Sequence, residues 1–295
     1  MSLLEGTTPE LLWTGAAWAE GPVWLAPTQT VLFSDIPNDR VMAWDAVTAQ
    51  ARVHRERAEF ANGRTLDREG RVVQCSHGRR AIEREEDGAL ETVVSRWSGG
   101  RFNSPNDVVV AADGAIWFTD PPYGIQQSEV EGHAGEEEYG GCYVFRFVEA
   151  TGELTPVITD MVHPNGLAFS PDESVLYVAD TGSILVEGGA NHIRAYAVRD
   201  GACSNGRVFA EPNTSDGFRV DVEGRIWTSW SDGDRGGIAV YDPAGAELLQ
   251  LDLGERTSNV CFGGPDDDEL YVTASTSLYR IRTTTAPAPR PEPLG

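Results

Sequence analysis

The sequence predicts an all-β chain folded as a six-bladed β-propeller. Three observations predict it: an opening repeated six times, a repeat length that suits a blade of short strands, and turn chemistry between apolar runs. Each repeat starts with a small polar or acidic residue, usually followed by Gly, Asp or Asn, and continues as an apolar run. The six read Glu20-Gly21-Pro22-Val23-Trp24, Asn62-Gly63-Arg64-Thr65-Leu66, Asn106-Asp107-Val108-Val109-Val110, Asn165-Gly166-Leu167-Ala168-Phe169, Asp216-Gly217-Phe218-Arg219-Val220 and Ser258-Asn259-Val260-Cys261-Phe262. Their first residues recur at intervals of 42, 44, 59, 51 and 42 positions. A period of about 40–50 residues built from short strands is the mark of propeller blades.

Within a repeat, the opening strand leads to a turn, a second strand, a variable loop and a third strand. In the third repeat the turn is Ala112-Asp113-Gly114-Ala115, the second strand Ile116-Trp117-Phe118-Thr119 and the third Gly141 to Phe147. The fourth runs through Ser170-Pro171-Asp172-Glu173-Ser174 to Val175–Ala179 and Ile193–Val198, and the fifth through Val222-Glu223-Gly224-Arg225 to Ile226–Ser229 and Ile238–Tyr241. Pro, Asp and Gly supply turn geometry, and β-branched and aromatic residues suit a pleated interior. Patterns long enough for an amphipathic helix are almost absent. The repeats cover about residues 18–282 with no linker, so residues 1–295 are expected to be one domain. Met1–Pro9 and Thr283–Gly295, including the Pro-rich Ala286–Pro291, are expected to fray.

The chain has 46 acidic and 23 basic residues, a formal net charge of −23, and every basic residue is Arg. Such a surface repels nucleic acid and anionic membrane. The absence of Lys excludes Schiff-base chemistry, Lys-anchored pyridoxal phosphate and a P-loop. Cys75, Cys142, Cys203 and Cys261 are widely spaced and read as buried free thiols. With no basic-then-apolar leader and no apolar run near 20 residues, the expected location is cytoplasmic. The sequence leaves the oligomeric state open. Pro171-Asp172-Glu173 and Pro265-Asp266-Asp267-Asp268-Glu269 read as solvated turns, and Gly135–Tyr139 as a solvated or lid-like part of the long third-blade insertion.

Residues that open the innermost strands line one mouth of a propeller's channel. Glu20, Asn106, Asn165 and Asp216 then converge, offering two carboxylates and two amide carbonyls. Hard oxygen donors without Cys or His suit Ca²⁺, Mg²⁺ or Mn²⁺, and two carboxylates neutralise a divalent cation. Taken singly, each of these pairs also reads as a turn dipeptide.

The chain resembles the family of the senescence marker protein (regucalcin), gluconolactonase and luciferin-regenerating enzyme, whose members are six-bladed propellers. The carrying stretches are Ala19–Trp24, Asn103–Val110, Trp117–Gly124, Pro164–Asp172 and Ser215–Gly217. The form S-P-N-D-V followed by F-T-D-P-P-Y-G is most similar to bacterial sugar-acid lactonases. The resemblance implies one divalent metal held by the residues matching Glu20, Asn165 and Asp216, with Asn106 a ligand or a substrate contact. Ca²⁺ stands first among the metals, and Mg²⁺, Mn²⁺, Zn²⁺ and Fe²⁺ remain open. It implies hydrolysis of a small-molecule sugar lactone of the glucono- or xylonolactone type, the metal acting as Lewis acid and Asp216 as general base. Asn62, Arg101, Arg64 and Tyr123 are expected to contact substrate. His77 reads as a hydrogen-bonded core residue. Alternatives are phosphotriester hydrolysis of the diisopropyl-fluorophosphatase type and a propeller that binds metal or protein without catalysis. No His pair of the paraoxonase kind and no G-x-S-x-G nucleophile is found.

Overall fold

The computed structural model describes residues 2–6, 8–127 and 129–289. Among them, six four-stranded antiparallel sheets form the blades of a propeller. Blades 1 to 5 occupy 19–56, 61–94, 108–158, 164–210 and 218–252. Blade 6 takes three strands from 257–282 and its outermost from Glu10–Thr14, which pairs with Ser277–Arg282 in the register Glu10↔Arg280 and Leu11↔Tyr279. One sheet thus joins the two ends of the chain and closes the ring. No helix among the described residues is long and apolar enough to cross a membrane.

The predicted second and third strands form where the apolar runs lie, at Ile116–Asp120, Tyr143–Val148, Val175–Asp180, His192–Arg199, Ile226–Asp232 and Arg235–Tyr241. The outermost strands escaped the sequence pattern because they are half exposed, Ala202–Ala210 being an example. The hydrophobic core is divided into packets between adjacent blades. Trp24, Phe33 and Trp44 of blade 1 meet Cys261, Tyr271 and Leu278 of blade 6, with the Trp24 ring stacked on Tyr271 at 5.4 Å. Phe102, Phe118 and Phe145 fill the gap against Val73, Cys75 and Ile82 of blade 2. A fully buried side chain of this size contributes about 1.5–3 kcal/mol.

The innermost strands are Ala19–Leu25, Ala61–Leu66, Val108–Val110, Pro164–Phe169, Phe218–Val220 and Thr257–Gly263. The recurring X-Gly pairs are not hairpin turns. They lie where the inner strands approach one another around the channel, at irregularities in register such as Glu20/Val23 and Pro164/Leu167. Gly63 N donates to Asn106 O at 2.8 Å, Gly166 N to Asp216 O at 3.0 Å and Gly217 N to Ser258 O at 2.7 Å. A Cβ on Gly166 would stand 2.3 Å from the Asp216 carbonyl oxygen, so only glycine allows this approach.

The described parts of both ends are held in place. Glu5 N donates to Arg282 O at 3.0 Å and Thr284 N to Leu3 O at 3.1 Å. Ala288 N donates to Val220 O, and Val222 N to Ala286 O, each at 3.0 Å, so the C-terminal segment runs beside blade 5's inner strand. The expected fraying is corrected for these residues, because their backbone groups find partners that apolar periodicity does not reveal. Met1, Thr7 and 290–295, including Arg290 and Pro291 of the Pro-rich stretch, lie outside the described residues.

Of the two acidic runs, Glu269 departs from the solvated reading: it opens a strand, is buried, and accepts from Tyr271 Oη at 2.6 Å and Arg280 at 3.1 Å. Gly135–Glu138 is exposed, as the solvated reading expects, and the run is tied to its neighbours. Arg80 donates to Glu136 O at 2.9 Å, Glu138 pairs with Arg80 and Arg101, and the Tyr139 hydroxyl bonds the Asp120 carboxylate. Among the described residues Cys75, Cys142, Cys203 and Cys261 form no disulfide, and all but the half-exposed Cys203 are buried.

Candidate active site

The inner strands carry their opening residues to one mouth of the channel. Glu20, Asn62, Asn106, Asn165 and Asp216 line a cavity of about 310 Å³ there, together with Tyr123. Six of the eight residues singled out from the sequence therefore meet in one place. Arg64 and Arg101 do not. Arg64 lies further along its inner strand and lines a different cavity. Its guanidinium is spent on Gly21 O at 2.6 Å and Ser34 Oγ at 2.7 Å, which tie blade 2 to blade 1. Arg101 sits in the two-stranded hairpin Arg96–Trp97/Gly100–Arg101, half exposed, with its Nε 2.8 Å from the Glu138 carboxylate. Neither of the two arginines lines the mouth cavity with the other six.

Glu20 is 3% exposed. Its carboxylate accepts from the Gly21 N–H and from Asn259 Nδ2 at 3.1 Å. Burial, with the negative charges of Asp216 and Asp107, holds its pKa well above the carboxylate range. Asp216 is half-buried and lines the cavity, and its backbone N–H donates to Ser229 Oγ at 3.0 Å. Desolvation, then the charges of Glu131 and Asp107, push its carboxyl up to about 7, against the lowering influence of Arg256 and Asn165. The two acids thus share a water-poor site in which neither has a basic hydrogen-bond partner among the described residues.

The amides complete the set. Asn165 Nδ2 donates to Thr181 Oγ1 at 3.0 Å, and Thr181 Oγ1 in turn lies 2.6 Å from Tyr123 Oη. The Asn165 side chain also hydrogen-bonds the Asp216 carboxyl, so it links Asp216 to Thr181 across the cavity wall. Tyr123 walls the pocket with its ring, and burial pushes its phenol pKa up, so it stays neutral. His163 packs edge-on against that ring at 5.6 Å. His77 is buried and hydrogen-bonded, as its sequence context predicts, and touches both Asn62 and Glu131.

The donor set fits a hard divalent cation. Two carboxylates whose ionisation is suppressed by burial and neighbouring negative charge, beside the amides of Asn106 and Asn165, are the environment such an ion relieves. Among the described residues no cluster of three His, Cys, Asp or Glu exists that could hold a metal. Glu20 and Asp216 would hold the ion with the oxygens of Asn165 and Asn106.

Among the wall residues not found from the sequence are Trp18, Gln127, Glu131 and Arg256. Gln127 and Glu131 belong to the third-blade insertion, whose length signalled a functional loop, although the sequence pointed to a later part of it. Trp18 and Arg256 immediately precede inner strands, and that position was the one available signal.

Comparison with known proteins identifies the family and the fold. The family model described as SMP-30/Gluconolactonase/LRE-like region matches residues 18–276. A gluconolactonase of Zymomonas mobilis is 30% identical, over 96% of this chain and 84% of its own length. A pentonolactonase of Haloferax volcanii is 29% identical, over 91% of this chain and 85% of its own. The solved structure of a gluconolactonase from Xanthomonas campestris superposes with a TM-score of 0.88 at 36% identity, covering 95% of this chain and 91% of that one.

Proposed function

Because the chain belongs to the SMP-30/Gluconolactonase/LRE-like family, we propose that its mouth cavity hydrolyses a sugar lactone of the glucono- or xylonolactone type to the aldonic acid. In this reading one divalent cation, Ca²⁺ first, is held by Glu20, Asn165 and Asp216, with Asn106 as a further ligand or a substrate contact. Lactonase relatives support the reaction class. The observation that carries the site is the buried Glu20–Asp216 pair, raised above the carboxylate range by burial and lining one cavity with Asn106 and Asn165.

Such a cation, when bound, supplies Lewis-acid polarisation of the lactone carbonyl and offsets charge on the oxyanion. Asp216 faces the cavity and is the base that takes a proton from the attacking water, which adds to the carbonyl carbon. The ring C–O bond then breaks, the proton returns to the departing ring oxygen, and the open-chain acid forms. Asn62 and Asn106 bond substrate hydroxyls, and the Tyr123 ring fixes the sugar's plane. The surrounding β-framework keeps these groups oriented, so little reorganisation accompanies the reaction.

The test is a comparison of substrates. Protein stripped of metal and reloaded with Ca²⁺, Mg²⁺, Mn²⁺ or Zn²⁺ is assayed on glucono-1,5-lactone, xylonolactone and diisopropyl fluorophosphate. Faster opening of a lactone than spontaneous hydrolysis, with little action on the phosphorus compound, supports the proposal. The reverse preference, or no turnover with any ion, overturns it.

A further inference from the structure

The mouth cavity holds Glu131 and Arg256, which the reaction as described does not use, and one buried imidazole organises Glu131 together with Asn62. His77 Nδ1 lies 2.9 Å from the Glu131 carbonyl oxygen, and Nε2 lies 3.2 Å from Asn62 Nδ2. A carbonyl only accepts, so Nδ1 carries the proton; Nε2 then accepts and can face only the amide's NH₂. Burial holds the His77 pKa down, to about 4, so the ring keeps this neutral form. The orientation of Asn62 follows: Nδ2 toward His77, and Oδ1 buried with no partner among the described residues. A buried acceptor left without a donor is destabilised, and a bound hydroxyl would relieve it.

Through its carbonyl, the same imidazole fixes the backbone of Glu131. The Glu131 side chain reaches the cavity, where Gln127 Nε2 is 3.4 Å from one oxygen and His77 Nδ1 stands 4.0 Å from the other, beyond a hydrogen bond. Arg256 lines the cavity too, with its guanidinium over the Trp18 ring at 4.9 Å. Among the described residues that guanidinium makes no side-chain hydrogen bond, so stacking orients its fork while its donors stay open. Burial pushes the Glu131 carboxyl up to about 7, with the Arg256 charge lowering it in part.

We propose that Asn62, Glu131 and Arg256 form a hydroxyl-reading subsite, positioned by His77 and distinct from the Glu20–Asp216 pair, which selects polyhydroxylated lactones over bare ones. This rests on the sugar-lactonase reading above. The chemistry is complementary: every sugar hydroxyl both donates and accepts, the amide and carboxyl oxygens accept, and the guanidinium donates. Neighbouring hydroxyls on one ring match a fork on one side and two acceptors on the other. A site built to bond hydroxyls discriminates against an analogue that lacks them, since its polar groups are then left unpaired.

The experiment compares glucono-1,5-lactone with δ-valerolactone, the same six-membered lactone ring without hydroxyls, for wild type, Glu131→Gln, Arg256→Met and Arg256→Lys. The expected result is a fall of about tenfold to a hundredfold in the kcat/KM ratio between the two lactones, carried by a higher KM for the sugar. Arg256→Lys is included because it keeps the charge and loses the fork, and it should lose discrimination as well. Equal losses on both rings, or an unchanged ratio in all three variants, overturn the subsite while leaving the lactonase reading intact. A wild type that opens neither ring overturns both.

Discussion

Replacing Asp216 by Asn should stabilise the metal-free protein and abolish its function. In the folded, metal-free chain the Asp216 carboxyl is pushed from 3.8 to about 7, first by desolvation and then by neighbouring negative charge. A raised carboxyl pKa means that ionisation opposes folding. The penalty is absent below the unfolded pKa, grows as pH rises, and is complete above about 7. At about 1.4 kcal/mol per pKa unit, removing the charge relieves on the order of 2–4 kcal/mol at pH 8, and a Tm rise of several degrees follows. Asn keeps one oxygen, so the packing cost is small. The assay is thermal unfolding in chelator for wild type and Asp216→Asn, at pH 8 and at pH 4.5. The variant should melt higher at pH 8, and its advantage should shrink at pH 4.5. With saturating cation the order should reverse, because ligand stabilises only the chain that binds it. A variant that melts lower than wild type in chelator at pH 8, or whose gain is the same at both pH values, would refute the argument that the buried acids are held under electrostatic strain.

Two further outcomes follow from the same geometry. Cation affinity should rise with pH up to and beyond about 7, because protons on Glu20 and Asp216 must leave before the ion binds; calorimetry in buffers of different ionisation enthalpy would show the proton release. Gly166→Ala should cost about 2–4 kcal/mol, since its Cβ would stand 2.3 Å from Asp216 O and 2.8 Å from Gly217 Cα, forcing apart inner strands that share the 3.0 Å Gly166–Asp216 hydrogen bond. Denaturant unfolding measures it, and an unchanged midpoint would contradict the close-approach account of the X-Gly pairs.

What the sequence disclosed about the site depends on where each residue lies in a blade. Glu20, Asn62, Asn106, Asn165 and Asp216 were legible because each opens an inner strand, and blade symmetry converts equal positions in sequence into one position in space. Arg64 misled because residue type says nothing about depth along the channel: two positions beyond Asn62, it belongs to a different cavity. Arg101 misled because the hairpin carrying it is not part of a blade. Glu131 and Arg256 lie on connections, where no periodicity aims a side chain, and His77 shows its purpose only through the two groups it touches. The strand Glu10–Thr14 was hidden for a different reason. Its partners lie more than 260 residues away, and five residues with one half-buried edge make a weak pattern.

The most direct test of the central claim is proton release during lactone opening, followed in a pH-stat with metal-stripped protein before and after adding back one divalent cation, with Glu20→Gln alongside. The account predicts a rate above spontaneous hydrolysis that appears on adding the cation, disappears with chelator and is absent in Glu20→Gln. Lactone opening that is equally fast in the stripped protein, or that survives Glu20→Gln, would contradict it.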